Sequence, residues 1–117
     1  LPRVKRFVNE RYGQFYGVSL DADLDRLVVR FRVRELEREA LQRRQMAVQA
    51  GVLEILEGQV DFATIRIETN RPDGSGEVGA EIAETSVSHI RQFSGGALEE
   101  WKAHTRGSSD AGKTWAD

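Results

Sequence analysis

The residues best suited to chemistry in this sequence are its two histidines, His89 and His104. A histidine beside a carboxylate can act as a general base, and Asp61 and Asp110 are the candidate carboxylates for such a dyad. Two histidines converging with carboxylates could also hold a metal ion, but the sequence lacks metal-ligand spacing. Both histidines stand among polar neighbours. We therefore expect histidines on strand surfaces, without metal or cofactor, and an enzyme is the less favoured interpretation.

Aromatic residues near His104 indicate a second kind of site. Trp101, Trp115 and Phe93 would line a pocket with His104 and bind a lipid tail or another small hydrophobe. A small enzyme or a hydrophobic-ligand carrier would use such a pocket. The competing interpretation, which we favour, is that these large rings close the hydrophobic core.

Three arginines, Arg30, Arg32 and Arg34, alternate with apolar residues and would share one face of a strand. They are the candidate partner surface. No aromatic residue interleaves with them on that face, and the net charge of −2 gives no global basic field, so nucleic acid is disfavoured. A solvated face or contact with an acidic partner is favoured. The acidic residues expected to neutralise the patch are Asp21, Asp23, Asp25, Glu35 and Glu37.

Two motifs overlap near the C-terminal end of the sequence. Residues 107–114 match the phosphate-binding pattern G-x-x-x-x-G-K-[ST], but that loop must open a helix and only three residues follow. Ser108, Asp110, Gly112 and the Thr114-Trp115 pair match S-x-D-x-G-x-T-W, which resembles the Asp-box of sialidase-type propeller blades. A propeller needs several such blades. The pattern therefore predicts a tight turn, with side chains bonded to backbone N–H groups, in a hairpin that pairs the Trp101 and Trp115 segments.

Composition limits the classes of protein that remain. The length of 117 residues suits one domain. Cysteine is absent, which excludes disulfides and thiolate sites and is compatible with cytoplasm, periplasm or an organelle matrix. No apolar run approaches the ~18 residues of a membrane span. The basic start at residues 1–6, without an initiator Met, is what removal of a targeting peptide or a membrane anchor would leave.

Apolar spacing places the helices that would position these residues. Val4, Val8, Tyr12 and Phe15 form one face of a helix expected over residues 1–17. Residues 19–25 are cap-rich and could be a loop or the start of another helix. Residues 26–34 fit a short strand slightly better than a helix. The long helix is expected over 35–57 and would stop at Gly58.

The remainder, 62–117, is predicted to be an antiparallel sheet of about four strands. Residues 71–76 are a strong turn signal between two of the strands. A slip in the apolar alternation near Ala83-Glu84 predicts a β-bulge. After a break at Gly95-Gly96, residues 97–106 fit either a strand, with Trp101, Ala103 and Thr105 inward, or a short helix with Leu98, Trp101 and Thr105 on one side. The turn that follows favours the strand. Helices followed by strands indicate an α+β domain, with N-terminal helices packed on one face of a curved antiparallel sheet.

This arrangement resembles the cone-shaped nuclear-transport-factor-two-like superfold over about residues 35–117. The residues that carry the resemblance are Gly58, the Asp73-Gly74 turn, Trp101 and the Lys113 to Trp115 segment. Two branches are similar: the matrix-side scaffold domain of the mitochondrial inner-membrane translocase, and the periplasmic domain of type IV secretion assembly factors. The strand over 30–32 departs from the all-helical start of the first branch.

The resemblance implies an assembly domain in a membrane-associated translocation or secretion complex. We expect a non-enzymatic protein-interaction domain that binds a protein partner or a second copy of itself. The alternative is the pocket near Trp101 and His104, in a small enzyme or a ligand carrier. The basic residues of the first helix are a candidate contact with the membrane periphery. They are Arg3, Lys5, Arg6 and Arg11.

Overall fold

The fold is a mixed sheet of five strands with helices on one of its faces, seen in a computed structural model that describes residues 2–93 and 97–116. Leu1, Asp117 and the expected break at Gly95-Gly96 lie outside these residues. The elements in chain order are α1 (Pro2–Arg11), β1 (Gln14–Asp21), a 3₁₀ turn (Ala22–Leu24), β2 (Arg26–Arg32), α2 (Arg38–Leu56), β3 (Thr64–Thr69), β4 (Glu81–Ser86), α3 (Val87–Phe93), α4 (Leu98–Ala103) and β5 (Thr105–Ser108).

The strands lie in the sheet in the same order as in the chain, β1 to β5. Neighbouring strands are antiparallel except β2 and β3, which are parallel because the long helix α2 carries the chain back across the sheet. The α+β prediction is confirmed. The prediction of about four antiparallel strands was wrong in number and in direction, because β1 and the short β5 were not expected and β2 joins the sheet beside β3.

The hydrophobic core fills the space between the helices and one face of the sheet, which we call the covered face. From the sheet it receives Leu27, Val29 and Phe31 of β2 and Ile65 and Ile67 of β3, all at most 2% exposed. The helices contribute buried residues at helical spacing, namely Val4, Val8, Leu41, Val48, Val52 and Leu56. Burial of each such side chain contributes roughly 1.5–3 kcal/mol, so this layer fixes which face of every strand turns outward.

The predicted helix over 1–17 was wrong beyond Arg11. Residues 14–21 form the edge strand β1, which pairs with β2 and contains a bulge between Phe15 and Gly17. Gly13 makes the turn possible because a Cβ there would overlap the carbonyl oxygen of Arg32. Tyr12 and Phe15 have helical spacing because both rings pack on the same core, Tyr12 from the turn after α1 and Phe15 from β1. Residues 19–25 are therefore the end of a strand and a 3₁₀ turn.

The strand interpretation of 26–34 is correct for Arg26–Arg32. The helix expected over 35–57 lies at Arg38–Leu56, and Gly58 follows it with a φ of +78°. The turn at 71–76 also forms as expected: the Asp73 carboxylate accepts hydrogen bonds from the Ser75 amide at 2.9 Å and the Ser75 hydroxyl at 2.6 Å.

The strand predicted over 97–106 was wrong. Residues 98–103 form α4, and only then does the short strand β5 begin. Leu98 and Trp101, three residues apart, both pack into a small cluster with Ala83, whereas Ala103, which the strand interpretation had placed inward, is exposed. Tertiary packing of one helical face decided this segment.

The bulge predicted near Ala83-Glu84 is absent from β4, which pairs in regular register with both neighbours. The apolar alternation slips there because Glu81 to Thr85 are buried on both faces of the sheet. The chain then leaves the sheet at Val87 to form α3. Among the described residues no helix is both long and apolar enough to cross a bilayer.

The crossing of α1 over α2 depends on Gly51. A Cβ at this position would overlap the ring of Phe7, whereas the helix itself would gain about 1 kcal/mol from Ala in place of Gly. Overpacking costs about 1–3 kcal/mol, so we expect Gly51→Ala to lower the free energy of unfolding by about 1 kcal/mol in urea denaturation.

The matched control is Gly51→Ala in a Phe7→Ala background, where the ring is gone. There the same substitution should stabilise, by about 0.5–1 kcal/mol, because only the helix propensity remains. A destabilisation of equal size in both backgrounds would show that Phe7 is not the cause.

Candidate functional site

The face of the sheet opposite the helices, which we call the open face, carries a layer of charged side chains. Strand alternation turns these residues away from the core, and the apolar residues between them lie on the covered face. From β2, β3, β4 and β5 the open face receives Arg26, Arg30, Arg32, Arg66, Glu68, Glu84 and Arg106. Val28 and Ile82 also face this side, yet are only 7% and 5% exposed. The long arginine side chains therefore cover apolar surface as well as carry charge.

Glu84 lies at the centre of this layer and binds three arginines. It accepts hydrogen bonds from Arg26 Nη1 at 2.6 Å and Arg66 Nε at 2.7 Å, and Arg106 Nη1 lies 3.6 Å from its second oxygen. Strand register creates the arrangement, because Arg66 and Arg106 stand directly beside Glu84 on the two flanking strands. A carboxylate that is 8% exposed is stabilised here by charge-assisted bonds on several sides.

Glu68 extends the same network toward β1. It accepts Arg30 Nε at 2.8 Å and Arg66 Nη1 at 3.3 Å, so Arg66 bridges Glu68 and Glu84. Arg30 stands beside Glu68 in the parallel register of β2 and β3. The side chains of Arg30 and Arg106 are 55% and 54% exposed, so each end of the network presents a guanidinium to solvent.

Trp115 adds an aromatic ring to this layer. The Cζ atom of Arg106 lies 4.4 Å from the ring centroid and that of Arg66 lies 5.5 Å from it, both within the range of cation–π attraction. The ring is held there because Gly107 and Ala116 exchange backbone hydrogen bonds of 2.8 and 2.7 Å. The expected C-terminal hairpin therefore exists, but its first arm is β5 rather than the segment of Trp101.

The positive charges of the open face lie among carboxylates. Asp21 lies 3.4 Å from Arg26, and Asp23 and Glu77 border the two grooves beside Arg30. The guanidiniums of Arg30 and Arg106 are more than half exposed, and exposed charges of this kind attract acidic groups and orient an approaching partner.

The predicted arginine surface is only partly correct in its geometry. Arg30 and Arg32 share the open face, but Arg32 donates to the carbonyl oxygens of Gly74 and Gly76 at 3.2 and 3.1 Å and so supports a turn. Arg34 lies beyond the end of β2 and is exposed. Asp21, one of the acids expected to neutralise the patch, pairs with Arg26. The carboxylates that pair with Arg30 and with the second guanidinium nitrogen of Arg26 are Glu68 and Glu84, which were not predicted.

The residues that sequence reasoning missed are Arg26, Arg66 and Arg106, with Glu68 and Glu84. Their signal was present in part, because Arg66 and Glu68 alternate with Ile65 and Ile67 in a strand that was predicted. What the sequence lacked was the register between strands, which decides that Arg66 meets Glu84.

The C-terminal turn forms as the Asp-box resemblance implies. Ser108 Oγ accepts the Gly112 amide at 2.8 Å, and the Asp110 carboxylate accepts the Thr114 amide at 2.8 Å and the Thr114 hydroxyl at 2.6 Å. Gly112 has a φ of +88°. The hydrogen bonds that the Asp110 carboxylate accepts, first from the Thr114 hydroxyl and then from the Thr114 amide and the Ser108 hydroxyl, lower the pKa of Asp110 to about 2. In the described part of the chain Asp110 is bonded to Ser108 and Thr114 rather than to a histidine, which disfavours the His–Asp110 dyad.

The phosphate-binding pattern over 107–114 does not have the geometry of a phosphate loop. Each backbone N–H from Asp110 to Thr114 already donates within the protein: to Ser108 Oγ, the Ala80 carbonyl, Ser108 Oγ, the Asp110 carbonyl and the Asp110 carboxylate in turn. Phosphate loops depend on free N–H groups and a following helix. This segment therefore serves as a structural turn that holds Trp115 on the open face.

We expect Asp110→Ala to release this turn. Hydrogen exchange of the Gly112 and Thr114 amides should become at least about tenfold faster, while amides of β3 keep their protection, because local opening is independent of the core. Asp61→Ala, another change of an exposed-loop Asp, is the control and should leave both amides unchanged.

The same turn gives a pH dependence. The folded pKa of Asp110 is lowered from 3.8 to about 2, so its stabilising contribution is present above pH 3.8 and is lost as pH falls toward 2. The Thr114 amide should lose protection in that window. Protection that survives unchanged at pH 2 would contradict the assignment.

The two histidines lie together on the surface rather than in a pocket. The ring centroids of His89 and His104 are 4.2 Å apart and those of Phe93 and His104 are 5.2 Å apart. His89 Nδ1 lies 2.8 Å from Ser86 Oγ, a hydroxyl at the start of α3 that the His89 amide also approaches at 3.4 Å. The stack thus joins α3 to α4. The expectation of histidines on strands was wrong, since His89 is helical and His104 follows a helix.

The predicted pocket residues separate into two places. Trp101 is 2% exposed and packs in the small cluster with Leu98 and Ala83, and it also borders a cleft that Trp115 lines. Phe93 and His104 lie in the surface stack and do not line this cleft. The hydrophobic pocket formed by all four residues is therefore not assembled, and the interpretation of Trp101 as a core residue is correct.

No protein-family model, no curated protein and no solved structure matches this chain. Across residues 2–93 and 97–116, no group of three or more histidine, aspartate or glutamate side chains is arranged to hold a metal ion.

Proposed function

We propose that this chain is a non-enzymatic protein-interaction domain whose open face binds a protein partner carrying acidic side chains. The observation that carries the proposal is the ordered charge network with its exposed ends at Arg30 and Arg106. Its inner members are held by ion pairs and by Trp115, so the two exposed guanidiniums are positioned before a partner arrives. Preorganised charge of this kind contributes specificity and speeds association.

The alternation of charge favours a protein over nucleic acid as the partner. Glu68 and Glu84 lie between the arginines, so a continuous chain of phosphates would meet carboxylates as well as guanidiniums. The ring of Trp115 is engaged by arginines, where base stacking would need a ring open to the base. A protein surface can offer acidic side chains at the two exposed ends and donors between them.

The proposal includes the membrane-associated assembly that the sequence resemblance implies. In that setting the exposed basic residues of α1 would approach an anionic membrane surface. Val4 and Val8 are fully buried in the core, so the apolar side of α1 is already used and this contact would be electrostatic.

The experiment compares two variants that each remove two exposed positive charges. Arg30→Gln/Arg106→Gln changes the open face, and Lys5→Gln/Arg43→Gln changes exposed positions on the helices. Wild-type protein captures partners from nuclease-treated extract of the source organism at low salt. Each captured protein is then purified and its Kd measured by calorimetry at several salt concentrations.

We expect an acidic protein whose Kd rises at least about tenfold with the open-face variant and less than about twofold with the helix variant. Circular dichroism verifies that both variants fold. The proposal fails if no partner binds, if the helix variant loses as much affinity, or if binding disappears with the nuclease.

A further inference from the structure

A second feature of the molecule is a cleft of about 420 Å³ beside the sheet. It lies between the first turns of α2, the helix α4 and the C-terminal hairpin. Its polar lining comes from several elements: Arg38 and Gln45 of α2, Glu81 of β4 and Lys102 of α4. A volume of this size is in the range of small-molecule sites.

The wall of the cleft contains a preformed ion pair. Glu81 is 4% exposed, and its carboxylate accepts Arg38 Nη1 at 3.3 Å and Nη2 at 3.0 Å, with the Ser109 hydroxyl at 3.2 Å. The Arg38 side chain itself is 53% exposed. A guanidinium has five N–H donors, and these bonds use two of them, so Arg38 is fixed in place and can still donate to a ligand.

Lys102 supplies a second cation. Its amine lies 3.7 Å from a carboxylate oxygen of Glu99, a side chain that is 85% exposed. An ion pair this long and this exposed contributes little to stability, so Lys102 can readily leave Glu99 and bind an anionic ligand instead. Arg38 and Lys102 together exceed the single charge of Glu81, so the cleft has a positive excess.

Gln45 is the observation that points to a ligand. The residue is 4% exposed, lies at the cleft, and its side-chain amide makes no hydrogen bond to any residue that the structure describes. The amide atoms of Gln45 are not fully enclosed, so in a side chain that is otherwise buried they open into the cleft and remain available to a ligand. The neighbouring Gln49, by comparison, is fully bonded within the protein.

From these observations we infer that the cleft is a binding site for a small organic anion bearing a phosphate or carboxylate. Arg38 and Lys102 bind the oxyanion, and the Gln45 amide donates to it or to an adjacent hydroxyl. The cleft shares Ile82 and Trp115 with the edge of the open face, but its two cations, Arg38 and Lys102, do not belong to the charge network there, so the inference does not depend on the interaction proposed for that face.

The experiment uses Gln45→Met and Lys102→Gln, with Lys5→Gln on α1 as a matched loss of one lysine charge. Probes are glucose 6-phosphate, citrate and inorganic phosphate, with glucose as the uncharged control. Binding is followed by amide chemical shifts and stability by urea denaturation without ligand.

We expect one of the anionic probes to bind with shifts centred on Gln45 and Lys102, and glucose to bind at least about tenfold more weakly. Lys102→Gln should raise the Kd about tenfold, and Lys5→Gln less than about twofold. Gln45→Met should raise the Kd similarly while leaving stability unchanged or higher, because no protein partner is lost. That combination separates a ligand-binding role from a structural one.

Three results would overturn the inference. The first is that no anionic probe binds with a Kd below about 10 mM. The second is that the chemical-shift changes map to Arg30 and Arg106 on the open face, and the third is that Gln45→Met destabilises the protein without changing the Kd. The second result would assign anion binding to the open face. The third would make Gln45 a structural residue.

Discussion

Replacing Gln49 by Leu should lower the free energy of unfolding by about 3 kcal/mol, although the side chain keeps nearly its volume. Gln49 is fully buried between α2 and the sheet. Its Oε1 accepts Trp101 Nε1 at 2.7 Å, and its Nε2 donates to Thr85 Oγ1 at 3.0 Å and to the Ile65 carbonyl at 3.3 Å. The substitution leaves the buried Trp101 N–H without a partner, at a cost of about 1–3 kcal/mol. It also removes the hydrogen bonds to the Ile65 carbonyl and to Thr85 Oγ1, although Thr85 keeps its contact with Thr105.

The same network has a fixed direction. Thr105 Oγ1 donates to the Trp101 carbonyl at 2.6 Å, so in its 2.8 Å contact with Thr85 Oγ1 it must accept. Thr85 therefore donates to Thr105 and accepts from Gln49. One chain of hydrogen bonds thus joins α2, β4, β5 and α4, and chains of this kind strengthen their members.

The control is the double variant Gln49→Leu/Trp101→Phe, which removes donor and acceptor together. We expect it to be less destabilised than the sum of the two single variants, because the orphaned indole N–H is gone. Urea denaturation of all four proteins gives the coupling energy. A loss below about 1 kcal/mol for Gln49→Leu would show that the network does not stabilise the fold.

The second large effect is expected on the open face, where Glu84→Gln should lower the free energy of unfolding by about 3 kcal/mol. The side chains of Glu84, Arg26 and Arg66 are 9%, 17% and 17% exposed, so their charges are largely withdrawn from water. The amide keeps the shape of Glu84 and removes its charge. Two closely packed guanidiniums, with Arg106 at the rim, would then repel each other without a central anion.

The control for this prediction is Glu39→Gln on α2. Glu39 pairs with Arg43 at 3.1 Å, but both side chains are more than half exposed, so the effect should stay within about 0.5 kcal/mol. If Glu84→Gln costs no more than Glu39→Gln, the network on the open face is a set of solvated surface pairs. That outcome would also weaken the proposed function, because the exposed arginines would not be preorganised.

The alternation and spacing of apolar residues predicted an element correctly where local backbone preferences and a single buried face determine it. The strand over Arg26–Arg32, the helix over Arg38–Leu56 and the turn at 71–76 follow from local patterns and form as expected. The sequence patterns failed where a segment is buried on both of its faces, or where residues of two segments pack into the same core. β4 lost its alternation because the charge network covers one side and the core the other, and Tyr12 with Phe15 imitated a helix because two elements supply rings to one core.

The candidate sites show the same division. The Asp-box pattern alone predicted the bonds of Ser108 and Asp110, because those bonds span only a few residues. The charge network and the cleft join residues far apart in the chain, such as Arg26 with Glu84 and Arg38 with Glu81. Their meeting depends on strand register and on which helix crosses which strand.

By itself, therefore, the sequence determined the α+β class, the long helix, the strand that carries Arg30 and the C-terminal turn, since each depends on backbone preferences and on contacts between near neighbours. Only the tertiary structure decided the parallel pairing of β2 with β3, the helical conformation at Trp101, the charge network around Glu84 and the cleft beside Gln45. The physical reason is that side-chain period fixes the face on which a residue lies, but register and helix packing, set by the collective burial of the core, fix what it meets there.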